Sequence, residues 1–186
     1  MRYPLFVISG PAACGKIELV GRILQIFPEL TQITTHTTRK PRHGESPDRA
    51  YTYINEQDFM DSRQKGLIAE YSLAHGHYHG TFKENLFGTL EAGPAIIIRD
   101  PEGADKIVAL VPEAHFAFIL APEPEIRERL HKRCRTLAEL TERMQDVRNE
   151  TLAAMHPQYD CIINNANHKY DRSTRLLIRF IMETLG

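Results

Sequence analysis

The feature that most constrains this chain is one short turn, Gly10-Pro11-Ala12-Ala13-Cys14-Gly15-Lys16. A β-prone apolar run, Leu5-Phe6-Val7-Ile8-Ser9, precedes it. After it, Ile17, Leu19, Val20, Ile23, Leu24 and Phe27 recur at helical spacing until Pro28. Strand, glycine-bounded loop and helix form the context in which Gly-x-x-x-x-Gly-Lys cradles a phosphate. Small residues let backbone N–H groups point at phosphate oxygens, and the helix N-terminus adds favourable potential. Lys16 is placed to reach the terminal phosphates. One position departs from the pattern. The residue after the lysine is ordinarily Ser or Thr, whose hydroxyl holds Mg2+, and Ile17 has no oxygen to offer.

Three further apolar runs, Ala95-Ile96-Ile97-Ile98, Phe116 to Leu120 and Cys161 to Ile163, predict buried parallel strands. Helical patterns lie before, between and after them, over 83–91, 102–111, 124–133, 137–154 and 170–185. This alternation predicts a parallel α/β sheet covered on both faces. The polar stretch over about 35–85 predicts an inserted subdomain, with a short helix at 55–65 capped by Asn55 and two strand-like pieces around His75-Gly76-His77. At 186 residues the chain is expected to form one domain. No apolar stretch has membrane-spanning length, and the first apolar run ends in a glycine-rich turn rather than a leader's cleavage site. A formal net charge of −1 gives no bulk attraction to nucleic acid or membrane, so a bound anion needs a local cluster of arginines. Cys14, Cys134 and Cys161 lack the spacing of a disulfide framework or zinc knuckle and suit a reducing, cytoplasmic setting. His75, His77 and His79 would share one strand face. Without a cysteine or second histidine cluster nearby, they read as imidazoles beside a phosphate site rather than a metal site.

Several blocks, in order along nearly the whole chain, resemble the guanylate kinase family. GPAACGK resembles its phosphate loop, and HTTRKPRHGE with Tyr51 its GMP-binding signature. Glu70 followed by HGHYHGT resembles its E…GxYYG[ST] stretch, and RDPEG its DxDxQG segment. RERLHKR with Arg143 resembles its mobile lid, and YDCIINN its terminal YDxxIxN element. The resemblance implies a P-loop kinase fold: a three-layer α/β core at 1–34 and 93–186, a mixed α+β GMP-binding subdomain at 35–90, and a helical lid at 127–146. It implies phosphorylation of GMP or dGMP with ATP as donor and Mg2+ accompanying the ATP. The ATP site would comprise Gly10, Pro11, Ala12, Ala13, Cys14, Gly15, Lys16 and Ile17 with Arg129, Arg133 and Asn164. The GMP site would comprise Thr35, Arg39, Arg42, Glu45, Tyr51, Glu70, His79, Thr81 and Asp100. Lys16, Arg39, Arg133 and Arg143 would be the catalytic set.

The chemistry of the acceptor end is sensible on its own terms. Arginine forks bind a phosphate through two parallel hydrogen bonds. Guanine shows N1–H and N2–H2 donors beside an O6 acceptor, so carboxylates at 70 and 100 and a hydroxyl at 81 complement it, and adenine would leave them unpaired. The metal end departs: Ile17 lacks the hydroxyl, and Ile98 stands where the first Asp of DxD would lie. His79 replaces the second Tyr of GxYYG, and the Tyr78 hydroxyl faces the opposite side of the strand. Two other readings remain open: a catalytically inactive module of this fold that binds a nucleotide or phosphopeptide, which leaves room for a protein partner, and a kinase for another small phosphate such as ribose bisphosphate. For the GMP site that the resemblance implies, Arg39→Ala is expected to weaken GMP binding by ~1.5–3 kcal/mol, the worth of charged hydrogen bonds. Calorimetry returning an unchanged affinity would remove Arg39 from the site.

Overall fold

A computed structural model describes residues 3–41, 51–74, 76–155, 159–167 and 170–186. The apolar runs pair into a five-stranded, all-parallel sheet. Its strands are β1 (Leu5–Ser9), β2 (Thr31–Gln32), β7 (Ala95–Ile98), β8 (His115–Leu120) and β9 (Cys161–Asn164), in the order β2-β7-β1-β8-β9. β1 is central. Leu5 pairs with Ala95 and Ile8 with Ile98 on one side; Phe6 pairs with His115 and Ser9 with Phe118 on the other. Every residue of β1 and β7 is buried, which is why these runs lack polar alternation.

Helices cover both faces of this sheet. Phe6 and Ile8 pack with Leu19, Val20 and Ile23 of α1 (Lys16–Ile26), with Leu130 of α5 (Glu123–His131), and with Met144 of α6 (Leu137–Leu152). Leu177 and Ile181 of α7 (Tyr170–Leu185) complete that layer. Leu5 and Val7 face the other way, against Leu86 and Leu90 of α3 (Lys83–Ala92) and Ile107 of α4 (Pro101–Leu110). The period-2 alternation of β1 thus divides the core into two apolar layers around one sheet.

The polar stretch builds a second, four-stranded mixed sheet, β4 (Tyr51–Tyr53), β3 (Thr35–Thr37), β6 (His77–Phe82) and β5 (Ile68–Ala74), in the order β4-β3-β6-β5. β3 and β4 are parallel, and the β3–β6 and β6–β5 pairs are antiparallel. α2 (Glu56–Gln64) packs Phe59 on this sheet, and the Asn55 side chain accepts a 2.8 Å bond from Asp58 N–H as its cap. Phe59 stacks on Tyr78 with ring centroids 5.3 Å apart, so Tyr78 faces away from His77 and His79 on its own strand. Polar contacts join the two sheets. Ser72 donates to Asp100 Oδ2 at 2.7 Å, and Lys106 Nζ donates to the Tyr71 carbonyl at 2.6 Å. Among the described residues no helix is long and apolar enough to cross a membrane.

Candidate functional site

The carboxyl ends of β1, β7 and β8 point to the same side of the parallel sheet, where an α/β fold opens its crevice. A cleft of about 1290 Å3 lies there, walled by the loop after β1 on one side and by the second sheet on the other. Eight lysine and arginine side chains line it against five carboxylates, with the buried Arg99 behind them. A nearly neutral chain has therefore gathered its positive charge where two anions could meet.

The loop is shaped by two glycines. Gly10 has φ +139°, and a Cβ there would lie 2.1 Å from the Ile119 carbonyl oxygen. Gly15, at φ +99°, caps α1, and a Cβ there would lie 2.4 Å from Asn165 Nδ2. Lys16 Nζ donates to the Gly10 and Pro11 carbonyls at 2.5 and 2.9 Å, folding the lysine over the loop it belongs to. Distant side chains hold the loop from outside. Asn165 Nδ2 donates to the Cys14 carbonyl at 2.9 Å, an Arg129 NH donates to the Ala13 carbonyl at 2.9 Å, and Glu150 Oε2 accepts from Ala12 N–H at 2.8 Å. Cys14 is fully buried in the core, and burial pushes its thiol up despite the nearby Lys16 charge. A small side chain filling a tight loop is its role here. A helix N-terminus does not make it reactive.

Arg133, Arg135 and Arg143 line the cleft with Arg129, brought there by α5, α6 and the turn between them. Thr136 starts α6 by accepting from Glu139 N–H at 3.1 Å, while Glu139 accepts from Arg135 N–H at 2.9 Å, a reciprocal cap that fixes this turn. On the facing wall, the Arg39 guanidinium lies 5.6 Å from the ring centres of both Tyr51 and Tyr53, and His79 stands 6.2 Å from Tyr51. Arg39, Tyr51 and His79 therefore converge.

Behind that wall is a buried charge network. Glu70 accepts from Thr81 Oγ1 at 2.6 Å and from Arg99 at 2.8 Å, with both charged side chains 1% exposed. Burial pushes the Glu70 carboxyl up, opposed by the Arg99 charge and the Thr81 hydroxyl. Burial would lower Arg99, but Glu70 and Asp100 outweigh it and keep the guanidinium charged. Burial also pushes Asp100 up. The Arg99 charge and the bonds from Gly103 N–H and Ser72 Oγ prevail, so its carboxyl sits below its ordinary value. Thr35, Glu70 and Thr81 are buried behind the cleft rather than on its surface, whereas Asp100 reaches it.

Several expected positions are placed differently. Asn164, on β9, does not line the cleft; its neighbour Asn165 and then Asn167 do, because side chains alternate at a strand's end. Ile17 does not join the apolar face of α1. It is 43% exposed and lines the cleft beside Ile98, so the two positions where oxygen ligands were expected present only carbon. Both Asp100 oxygens are committed, Oδ1 to Gly103 N–H at 2.9 Å and Oδ2 to Ser72. This donor set does not fit a Mg2+ ion held by the protein itself. Arg42, Glu45 and His75 lie outside the described residues. His77 and His79 both line the cleft, and among the described residues no group of three or more His, Cys, Asp or Glu could hold a metal. Arg99, Ser72, Glu150 and Asn165 were not singled out from sequence. Their hydrogen-bond partners lie 20 to 151 residues away, and no local spacing announces them.

Comparison with known proteins gives one answer. The guanylate kinase family model matches residues 2–183. A guanylate kinase of Hahella chejuensis is 34% identical over 168 residues, 88% of this chain and 79% of that protein. One of Coxiella burnetii is 31% identical over 179 residues, 95% and 85% of the two chains. The crystal structure of guanylate kinase from Anaplasma phagocytophilum superposes with a TM-score of 0.76 at 17% identity, covering 99% of this chain and 87% of the other, a likeness of fold.

The loop geometry yields a direct test. Gly10→Ala is expected to lose at least about 1–3 kcal/mol of stability from the unfavourable φ alone, and to abolish ATP binding as the loop shifts from the Ile119 carbonyl. Urea unfolding and an ATP titration measure the two. An unchanged midpoint would contradict this account of the loop.

Proposed function

This chain belongs to the guanylate kinase family, and from that premise we propose that it transfers the γ-phosphoryl group of ATP to GMP or dGMP in one in-line step. A phosphate oxygen of the acceptor forms the new P–O bond as the bond from Pγ to the β–γ bridging oxygen breaks, leaving ADP and a guanosine diphosphate. The attacking oxygen is already an anion, so no strong general base is needed; positioning and charge stabilisation supply the rate. The observation that carries this reading is a single cleft with Lys16 and its loop on one wall and Arg39, Tyr51 and His79 on the other.

In this reading Lys16 and the loop N–H groups hold the ATP phosphates. Arg129, Arg133 and Arg143 stabilise the transferring group, with Asn165 and Asn167 nearer the donor than Asn164. Arg39, with Tyr51, His79 and the sequence-adjacent Arg42, grips the acceptor phosphate. Asp100 reads the base from the cleft surface, and Thr35, Glu70 and Thr81, buried just behind it, complete the base-reading set. We read 35–90 as the acceptor subdomain and 127–146 as the lid, whose closure excludes water and limits ATP hydrolysis. Three free cysteines support a reducing, cytoplasmic setting. Mg2+ would accompany the ATP, since positions 17 and 98 offer no oxygen to hold it. With carbon at 17 and 98, turnover is low for this chemistry.

Two experiments test this. Coupled ADP release is measured with GMP, dGMP, AMP, UMP and ribose phosphates. Turnover with the guanine nucleotides alone supports the reading; turnover only with a ribose phosphate replaces the substrate; and GMP binding without turnover leaves an inactive module. Second, Ile17→Ser combined with Ile98→Asp is expected to raise kcat at least about tenfold, since charge stabilisation by a held metal is worth several kcal/mol. An unchanged kcat would refute the low-turnover account.

A further inference from the structure

Arg99 is a costly residue to place where it is. It follows Ile98 at the end of an apolar strand, its side chain is 1% exposed, and its Nε is buried without a hydrogen-bond partner. The backbone makes room for it: a Cβ on Gly103 would lie 2.4 Å from the guanidinium. Its hydrogen-bond partners all belong to the other sheet, and the Asp100 carboxylate lies 3.7 Å away on its own side. One NH2 nitrogen lies 2.8 Å from Glu70 Oε2 and 3.3 Å from both Ser72 Oγ and the His79 carbonyl oxygen. An apolar residue would fill the same space without desolvating a charge, and buried ion pairs are seldom the more stable choice. What Arg99 supplies, and an apolar residue could not, is a fixed positive charge against Glu70 across the seam between the sheets.

We propose that Arg99 is the positioning residue of the acceptor-base site, holding the Glu70 carboxylate ionised and oriented so that it can accept the N–H donors of a guanine edge. This rests on the reading of GMP as acceptor. The charged groups facing Glu70 are Arg99 and Asp100 from the β7–α4 junction, with the Thr81 hydroxyl of β6 donating to it; His79 of β6 bears on Asp100, and Tyr51 of β4 on Arg99. Burial already favours the neutral carboxyl, with Arg99 the main opposing charge. Removing that charge leaves burial unopposed. The acid then protonates at a higher pH, where it presents an O–H toward the guanine donors instead of a lone pair.

The test uses Arg99→Met, Arg99→Lys, and Arg99→Met combined with Glu70→Gln, with GMP and ATP kinetics and melting temperature followed across pH. Arg99→Met is expected to raise the GMP KM at least about tenfold at neutral pH, with the ATP KM unchanged. That GMP KM should fall as pH rises and Glu70 regains its charge. Its melting temperature should fall over the same rise in pH, so that stability is lost as binding improves. A carboxyl whose folded pKa is raised contributes stability at low pH that is lost as pH rises through that pKa. Arg99→Lys should restore most of the GMP KM, and the double variant should lose the pH dependence of melting while keeping the high KM. If Arg99→Met does not fold, Arg99→Lys and the double variant carry the same comparison. A GMP KM that stays within about twofold of the original, or one that rises equally at every pH and is not rescued by lysine, overturns the proposal. If the unmodified protein neither binds nor turns over GMP, the reading of the substrate fails, and this assignment with it. Normal GMP turnover with an indifferent Arg99→Met variant overturns the assignment alone.

Discussion

The parallel pairing of β1 on both sides, with β7 and with β8, is the constraint on which the rest of the molecule depends. It forces the chain to leave β1 at the same end as its neighbours and to cross over each time through a helix. The loop after β1 is therefore trapped between the ends of β7 and β8, with the Ile119 carbonyl pressed so close to Gly10 that no side chain fits. That loop becomes the floor of the cleft because the sheet leaves it nowhere else to go. The same geometry puts Ile98, Arg99 and Asp100, at the end of β7, on the line between the loop and the second sheet.

Charge is distributed along that line by environment rather than by total. The chain is almost neutral. On the cleft surface, cations outnumber carboxylates and can meet anions; behind it, Arg99 and Glu70 are sealed from water and meet each other. Deleting one member of such a buried pair typically costs about 3–5 kcal/mol, while replacing both by apolar residues is often neutral. The pair accordingly explains little about why the protein folds and more about how the second-sheet wall of the cleft keeps its shape. Glu150 and Asn165 do related work on the opposite wall, tying the loop after β1 to α6 and to the end of β9.

Much of this was readable from the sequence wherever the signal is local. The strand, glycine loop and helix at the N-terminal end, the Asn55 cap and the amphipathic α7 follow from periodicity and capping chemistry over a few residues. Tyr78 turning away from His79 follows from strand alternation alone. What was not readable depends on partners far along the chain. Arg99, inside Arg-Asp-Pro-Glu-Gly, carries no local sign of burial, and its partners come from β5 and β6 across the seam. Ile17 falls in phase with the apolar face of α1, yet it stands at the first turn, where the helix emerges from its sheet, and so it faces the cleft. Asn164 and Asn165 differ by one residue, and which of them turns inward is decided by the register of β9 with β8.

The central claim is that one cleft holds two nucleotides with their phosphates facing each other. The most direct test is a calorimetric titration with a single molecule joining guanosine to adenosine through a chain of phosphates long enough to span both walls, compared with GMP and ATP alone. If the two walls form one site, linking the halves makes the second contact intramolecular, and the Kd should fall at least about 100-fold below that of the tighter single nucleotide. A linked molecule that binds no more tightly than that nucleotide would contradict the account.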